Sequence, residues 1–179
     1  MKRRILVAVG LVVLASAFAG MLFVTIARAQ EQPDFLSPGE ADKIREAQDP
    51  NDRIKLFLDF ADDRLKKVEY ELKLTTPQVH KPELLNGLLN GYSGCIDEAA
   101  DRLQEAQQKG VPIRRVIKDM EKRAKANLET LKTIENVNGP DLPSYKQSLD
   151  DAIAGTQDAL DEAVKASKEY GSAPIRRKP

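Results

Sequence analysis

The most unusual stretch of the sequence is a tandem repeat, in which Leu-Leu-Asn-Gly occurs twice over residues 84–91. On a helix, residues four apart lie on the same face, so Asn86 and Asn90 form one row and Gly87 and Gly91 form another. Each glycine inside a helix costs about 0.5–1 kcal/mol relative to alanine, so an offsetting interaction is expected. Nearby, Tyr92 adds a hydroxyl group that can form hydrogen bonds.

Two interpretations of this Asn/Gly stretch stay open. In the first, Asn86, Gly87, Asn90, Gly91 and Tyr92 form a contact site, where a ligand or partner approaches the glycine backbone. In the second, the glycines let two helices cross closely and have no binding role. Close packing alone is sufficient to explain glycine at these positions.

The residue types that build metal sites and catalytic triads are scarce, since the chain has one His and one Cys. His80 lies in a proline-flanked loop without a Glu three residues before it, so the Glu-x-x-His motif of di-iron bundles is missing. Adjacent acidic residues on a helix point about 100° apart and do not converge on one atom. We therefore predict no metal, no cofactor, no catalytic residues and a non-enzymatic role.

Cys95 follows Gly94 near the apolar face of the same helix. It is expected to be a buried structural thiol. The alternative is an intermolecular disulfide, which an unpaired Cys can form in an oxidising compartment.

The first 29 residues have the composition of an export signal. Lys2, Arg3 and Arg4 precede an uncharged apolar run over residues 5–27, and Ala27-Arg28-Ala29 before Gln30 fits a signal-peptidase site. The run is also long enough for an uncleaved membrane anchor, which needs about 20 apolar residues. In both cases the leading positive charges stay in the cytoplasm, so the rest of the chain is predicted to be exported, periplasmic or extracellular, or anchored with the bundle outside.

The charge balance of the remainder argues against general attraction to polyanions. The chain has 28 basic and 28 acidic residues, and residues 1–29 contain four of the basic and none of the acidic ones. The remainder therefore has 24 basic and 28 acidic residues. We predict that it binds no nucleic acid, and that it meets the membrane only through an uncleaved N-terminal segment.

The exported part is predicted to be all-α. From residue 30 onward, Leu occurs 16 times and Val six times, a bias that favours helices over strands. Apolar residues recur at steps of three and four from Ile54 to Leu72, from Leu85 to Ala106, from Ile113 to Leu131 and from Leu142 to Ala163. These four stripes predict an up-down-up-down antiparallel bundle, with a three-helix coiled coil and a separate helical pair as the alternative.

Start and stop signals set the predicted boundaries. Ser37-Pro38-Gly39-Glu40 fits a capping box that opens a short helix, and Asp49-Pro50 opens the first long helix. Leu74 to Lys81 is predicted to be a loop before a helix that starts at Pro82. Gly110 is predicted to end that helix, and Pro112 is predicted to start the next one. Residues 138–140 form the last break, before a helix capped by Asp141. The predicted organisation is a signal or anchor over 1–29, a linker over 30–36, the bundle over 37–171 and a basic, disordered tail over 172–179.

The function predicted from these features is a structural or protein-interaction role, through a protein partner or self-association. The alternative is an extracytoplasmic bundle that binds or senses a small molecule, held between helices near Asn90, Tyr92 and Tyr145.

Overall fold

The computed structural model describes residues 35–74, 80–137, 139 and 141–172, and all of them lie in helices or their connections. The chain divides into two units after Gln32, and the second contains every described residue. The predicted signal or anchor, its cleavage site at Ala27, Ala29 and Gln30, and residues 173–179 of the predicted tail lie outside the described residues. No helix in the described ranges is long and apolar enough to cross a membrane.

The described residues form five helices, which confirms the predicted all-helical class. Their bounds are α1 Pro38–Glu46, α2 Pro50–Lys73, α3 Lys81–Gln108, α4 Arg114–Asn136 and α5 Leu142–Ser172.

The predicted start signals of α1 and α2 are confirmed. The Ser37 side chain accepts a hydrogen bond from the Glu40 amide, while the Glu40 carboxylate accepts one from the Ser37 amide. Asp49 caps α2 through the amide of Asn51.

The predicted end of α3 at Gly110 is confirmed as well. Gly110 has a φ of 67°, and the amides of Gly110 and Val111 donate to the carbonyls of Gln107 and Ala106, which is a Schellman motif. Two predicted starts differ by one or two residues: α3 begins at Lys81, and α4 begins at Arg114, so Pro112 stays in the connection.

The long helices pack as a four-helix bundle, in which α2 contacts α3, α3 contacts α5, α5 contacts α4 and α4 contacts α2. The helices α2 and α3 are antiparallel, as are α4 and α5. The other two sides are parallel: Asn51 near the start of α2 reaches Pro112 before α4, and Asn86 and Tyr92 of α3 pair with Ser148 and Thr156 of α5.

The consecutive helices α3 and α4 were predicted to be neighbours, but over their described lengths they do not pack against each other. They lie on a diagonal of the bundle. Helix axes 8–10 Å apart give a diagonal of about 13 Å. The five connecting residues 109–113 can span about 17 Å when extended, so a short loop does not force the two helices to be adjacent.

The core is continuous through all four long helices and matches most of the predicted apolar stripes. In α5 the face differs from the prediction, because Ala152, Ala159 and Ala166 are buried while Ile153 and Leu160 are half-buried. The largest fully buried side chains are Tyr92, Ile54, Leu58, Leu85, Leu89, Ile96, Leu103, Ile113, Ile117, Met120, Leu131 and Leu149.

Candidate functional site

The first residue of the Asn/Gly stretch, Asn86, bonds to α5. Its amide nitrogen donates to the carbonyl of Ser144 at 2.8 Å and to that of Pro82 at 2.9 Å. Its carbonyl oxygen accepts from the Ser148 hydroxyl at 2.8 Å. These three bonds engage both ends of the amide, so Asn86 joins the two parallel helices rather than facing an open groove.

The glycines of α3 do form a groove, and the protein's own chain occupies it. A Cβ atom at position 91 would lie 2.8 Å from Nε of Arg64, and one at position 94 would lie 2.5 Å from the ring of Phe35. Both distances are shorter than real Cβ contacts, so a side chain at either position would have to displace its neighbour. Phe35 and the buried Leu36, assigned to the linker from the sequence, pack onto the helical core.

Arg64 joins two N-terminal parts of the chain to the bundle. One is the segment 35–37, which we name the N-terminal strap, and the other is α1. The side chain is only 8 % exposed. Its two terminal nitrogens donate to the two Glu40 oxygens at 3.0 and 2.9 Å, and also to the carbonyls of Phe60 at 3.1 Å and Phe35 at 2.7 Å. Partial burial by itself raises the pKa of Glu40, but hydrogen bonds from Arg64 and Ser37 outweigh it and lower that pKa.

The remaining residues of the stretch face in different directions. Gly87 is exposed, and a Cβ atom there would meet nothing within 4 Å. Asn90 is exposed, whereas the Tyr92 hydroxyl is buried and lies 2.8 Å from Oγ1 of Thr156. Burial is the main cause that raises the pKa of Tyr92 above its ordinary value. The five predicted contact residues therefore do not share one surface.

Cys95 is fully buried in α3, near enough to Arg64 of α2 for the two groups to interact electrostatically. Burial raises the pKa of its thiol to about 12, an effect that Arg64 partly opposes. An intermolecular disulfide there requires the thiol to leave the core, since exchange proceeds through an accessible thiolate.

Tyr145 lines a cavity of about 320 Å³ at the end of the bundle where α2 and α4 finish and α5 begins. Leu72, Ile134 and Val137 form its apolar part, and Lys73 stands among the charged residues at its edge. Neither Tyr92 nor Asn90 borders this space, so the three residues of the predicted small-molecule site do not surround one cavity.

A larger cleft of about 820 Å³ lies where α2 and α4 begin side by side. Asp49, Asp52 and Lys55 line it from α2, and Arg114 and Arg115 from α4. This cleft adjoins a surface that the sequence analysis missed.

That surface is the outer face of α4, which we name the basic stripe. Its exposed charged residues are six cations and one acid, Glu129. None of the six cations has an ion pair within the part of the chain that the structure describes. The stripe consists of Arg114, Arg115, Lys118, Lys122, Lys125 and Lys132.

The signal for the basic stripe was present in the sequence. The segment 114–136 contains seven basic and four acidic residues, although residues 30–179 as a whole are slightly acidic. Asp119 bonds to Arg123 and Glu135 bonds to Lys146 of α5, so within the described residues neither acid pairs with the cations on the outer face.

Among the described residues, no group of three or more His, Cys, Asp or Glu side chains is placed to hold a metal ion. Comparison of the chain with protein-family models, with curated proteins and with solved structures gives no match.

Proposed function

We propose that this chain is an exported, non-enzymatic interaction module, and that the basic stripe of α4 binds an acidic protein surface. The observation that carries the proposal is the run of six exposed cations along one helix, none of which forms an ion pair with another described residue. From Arg114 to Lys132 the run covers about 27 Å of helix.

The basic stripe is distinctive because its exposed charges are nearly all of one sign, whereas other arginines of the bundle bond to carboxylates. Arg123 bonds to Asp59 at 2.6 Å and to Asp62 at 2.9 Å, and Arg102 bonds to Glu98 at 3.2 Å. A face with one sign of charge raises the rate of encounter with an oppositely charged partner and selects against like-charged ones.

Export is supported by the sequence of residues 1–30. A signal or anchor places the bundle outside the cytoplasm, where the stripe meets other exported proteins or the exposed parts of membrane proteins. We propose a protein partner because the exported part is slightly acidic as a whole, which weakens its general attraction to nucleic acid.

Site-specific photocrosslinking in an expressing cell tests the proposal. A photoreactive amino acid replaces Lys118 or Lys122 in the full chain, and Lys43 on the exposed face of α1 serves as the control position. We expect a heavier crosslinked polypeptide from the two α4 positions and none from Lys43.

Charge reversal gives the matched comparison. The triple variant Lys118→Glu, Lys122→Glu and Lys125→Glu, with the photoreactive residue at Arg115, is expected to reduce the crosslinked product at least tenfold. The control reverses three exposed cations on other helices, Lys43, Lys66 and Lys168, with the same change in net charge. Equal loss from both triples, or no polypeptide at any α4 position, contradicts the proposed function.

A further inference from the structure

The bundle has a second face with charges of one sign, on the parallel pair α3 and α5. Asp97 and Asp101 of α3 and Asp158 and Asp161 of α5 are exposed, and we name them the acidic patch. Over the described ranges none of the four is joined to a cation by an ion pair. In total, α3 contains two basic and five acidic residues, and α5 contains three and six.

The carboxylates of the acidic patch are crowded. Partial burial, followed by the charges of Asp101, Asp158 and Glu98, raises the pKa of Asp97. A Cβ atom at position 155 would lie 3.2 Å from Oδ1 of Asp97, so Gly155 leaves room for this carboxylate against α5. Within the described residues, no ion pair offsets the repulsion among these groups.

One copy cannot bring its own basic stripe to its acidic patch. The helix α4 packs against α2 and α5, and it does not pack against α3 over the described lengths. The stripe points outward from α4, while the patch occupies the side formed by α3 and α5. The two faces have opposite sign and lie on different sides of one bundle, and neither forms ion pairs with other described residues. They are therefore complementary between copies.

We propose that the basic stripe of one copy docks on the acidic patch of a second copy. This inference rests on the proposed function and names the acidic surface that the stripe binds. Because the two faces differ, the contact is heterologous, and repetition of it joins copies head to tail into an open chain or a closed ring. Arg115 to Lys125 span about 15 Å, enough to run along the side formed by α3 and α5.

Salt dependence is the first arm of the test. The protein recovered from an expressing cell is examined by sedimentation velocity at 20, 150 and 500 mM NaCl. Exposed charges are screened over about 10 Å at 0.1 M salt and about 3 Å at 1 M. We expect association at 20 mM, at least a tenfold lower association constant at 150 mM, and monomer at 500 mM.

Charge-swap complementation is the second arm. The stripe variant has Lys118→Glu, Lys122→Glu and Lys125→Glu; the patch variant has Asp97→Lys, Asp101→Lys and Asp158→Lys. Each variant alone presents like charges on both faces and is expected to be monomeric. Mixed together they are expected to associate, because each altered face then meets an altered face of the opposite sign.

Circular dichroism of each variant establishes that it folds. If the patch variant does not fold, Asp97→Asn, Asp101→Asn and Asp158→Asn replace it, and loss of self-association is then the expected result. A wild-type chain that stays monomeric at 20 mM NaCl overturns the inference, as does a folded pair of charge-swap variants that fails to associate on mixing.

The outcomes for the inference and for the proposed function are separable. If the chain is monomeric but α4 crosslinks a different polypeptide in the cell, the proposal that a second copy is the partner is wrong. The proposed interaction role of the basic stripe is then still supported. If the monomeric chain binds vesicles containing phosphatidylglycerol and the stripe variant does not, a lipid surface replaces both proposals. A crosslinked species with twice the mass of the chain supports both.

Discussion

Glu40 connects three parts of the molecule at the scale of a single residue. One carboxylate completes the capping box of α1 with Ser37 and forms a two-point ion pair with the buried Arg64. Arg64 in turn holds the carbonyl of Phe35. Glu40 therefore links the cap of α1 to the arginine that bonds the N-terminal strap.

We expect Glu40→Gln to lower the free energy of unfolding by about 2 kcal/mol at pH 7, the usual scale for hydrogen bonds to a charged group. The loss arises because Arg64 keeps its charge in a nearly buried site without its anionic partner. Chemical denaturation measures the difference. Glu46→Gln, on the exposed end of α1, is the control and is expected to change stability by less than about 0.5 kcal/mol.

The pH dependence of this difference follows from the lowered pKa of Glu40. A folded-state pKa below the ordinary value of 4.5 means that the ionised form is stabilised by folding. That contribution is fully present above pH 4.5 and is lost as the pH falls through the lowered value. The stabilities of wild type and Glu40→Gln are therefore expected to converge in acid, and a constant difference from pH 7 to pH 2 would show that packing, not charge, is responsible.

The sequence predicted half of this residue-scale arrangement. The capping box at Ser37 and Glu40 is local, so its spacing is visible in four residues. The contact with Arg64 joins residues 24 positions apart and has no local spacing. Its only signal is that Arg64 interrupts the apolar stripe between Ala61 and Val68, where a charge can be buried only with a partner.

At the scale of elements, the glycines of α3 differ in what surrounds them. Gly94 faces the ring of Phe35 and Gly91 faces Arg64, while Gly87 faces open space. The tandem repeat therefore combines a glycine required by packing with one that only weakens the helix. Its regular spacing led sequence reasoning to treat them as one row.

We expect Gly94→Ala to lower the free energy of unfolding by about 1–3 kcal/mol, because the new Cβ would lie 2.5 Å from the Phe35 ring and displace it. Gly87→Ala is the matched variant in the same helix. It is expected to raise stability by about 0.5–1 kcal/mol, since alanine is the better helix former and nothing obstructs it. Thermal unfolding of both variants checks the pair, and equal effects would contradict the occupied groove.

Helix bounds were well predicted because caps and breakers act locally, whereas the neighbours of each helix were not. The short connection from Gln108 to Arg114 suggested adjacent helices, but a short loop also permits a diagonal one. The buried alanines of α5, such as Ala152 and Ala159, carry a weaker periodic signal than Ile153 and Leu160, which the stripe had favoured. Which helix each apolar stripe packs against depends on the packing of the whole bundle.

At the scale of the whole molecule, the dominant feature is the separation of charge into a basic stripe and an acidic patch. The net charge near zero concealed this, because opposite excesses on different helices cancel in the sum. Which faces are exposed depends on the packing of all four long helices. The per-helix charge counts were available from the sequence, but not which sides of the bundle they would occupy.

The unpaired carboxylates of the acidic patch lower the free energy of unfolding of the monomer, and one substitution tests this. Asp97 has a raised pKa, chiefly from burial and then from Asp101, Asp158 and Glu98, so its ionised form is disfavoured by folding. Glu98 is itself partly neutralised by Arg102 at 3.2 Å, which leaves Asp101 and Asp158 as the main unpaired neighbours. Above the raised pKa, the ionised carboxylate lowers the free energy of unfolding; below the ordinary value of 3.8, both states are protonated and the penalty vanishes.

We therefore expect Asp97→Asn to stabilise the monomer by about 0.5 kcal/mol at pH 7, the scale of a removed like-charge pair, and the gain to disappear as the pH falls to 3.8 and below. Denaturation at protein concentrations that keep the chain monomeric measures it. Asp63→Asn is the control, because Asp63 bonds to Lys67 at 2.7 Å and its loss is expected to destabilise slightly.

The same Asp97 change is expected to weaken self-association at low salt, since it removes a charge that the second copy neutralises. Stabilisation of the monomer together with weaker assembly is the combination that distinguishes a docking face from an ordinary solvated one; a variant that loses both stability and association would point to damaged packing at Gly155 instead.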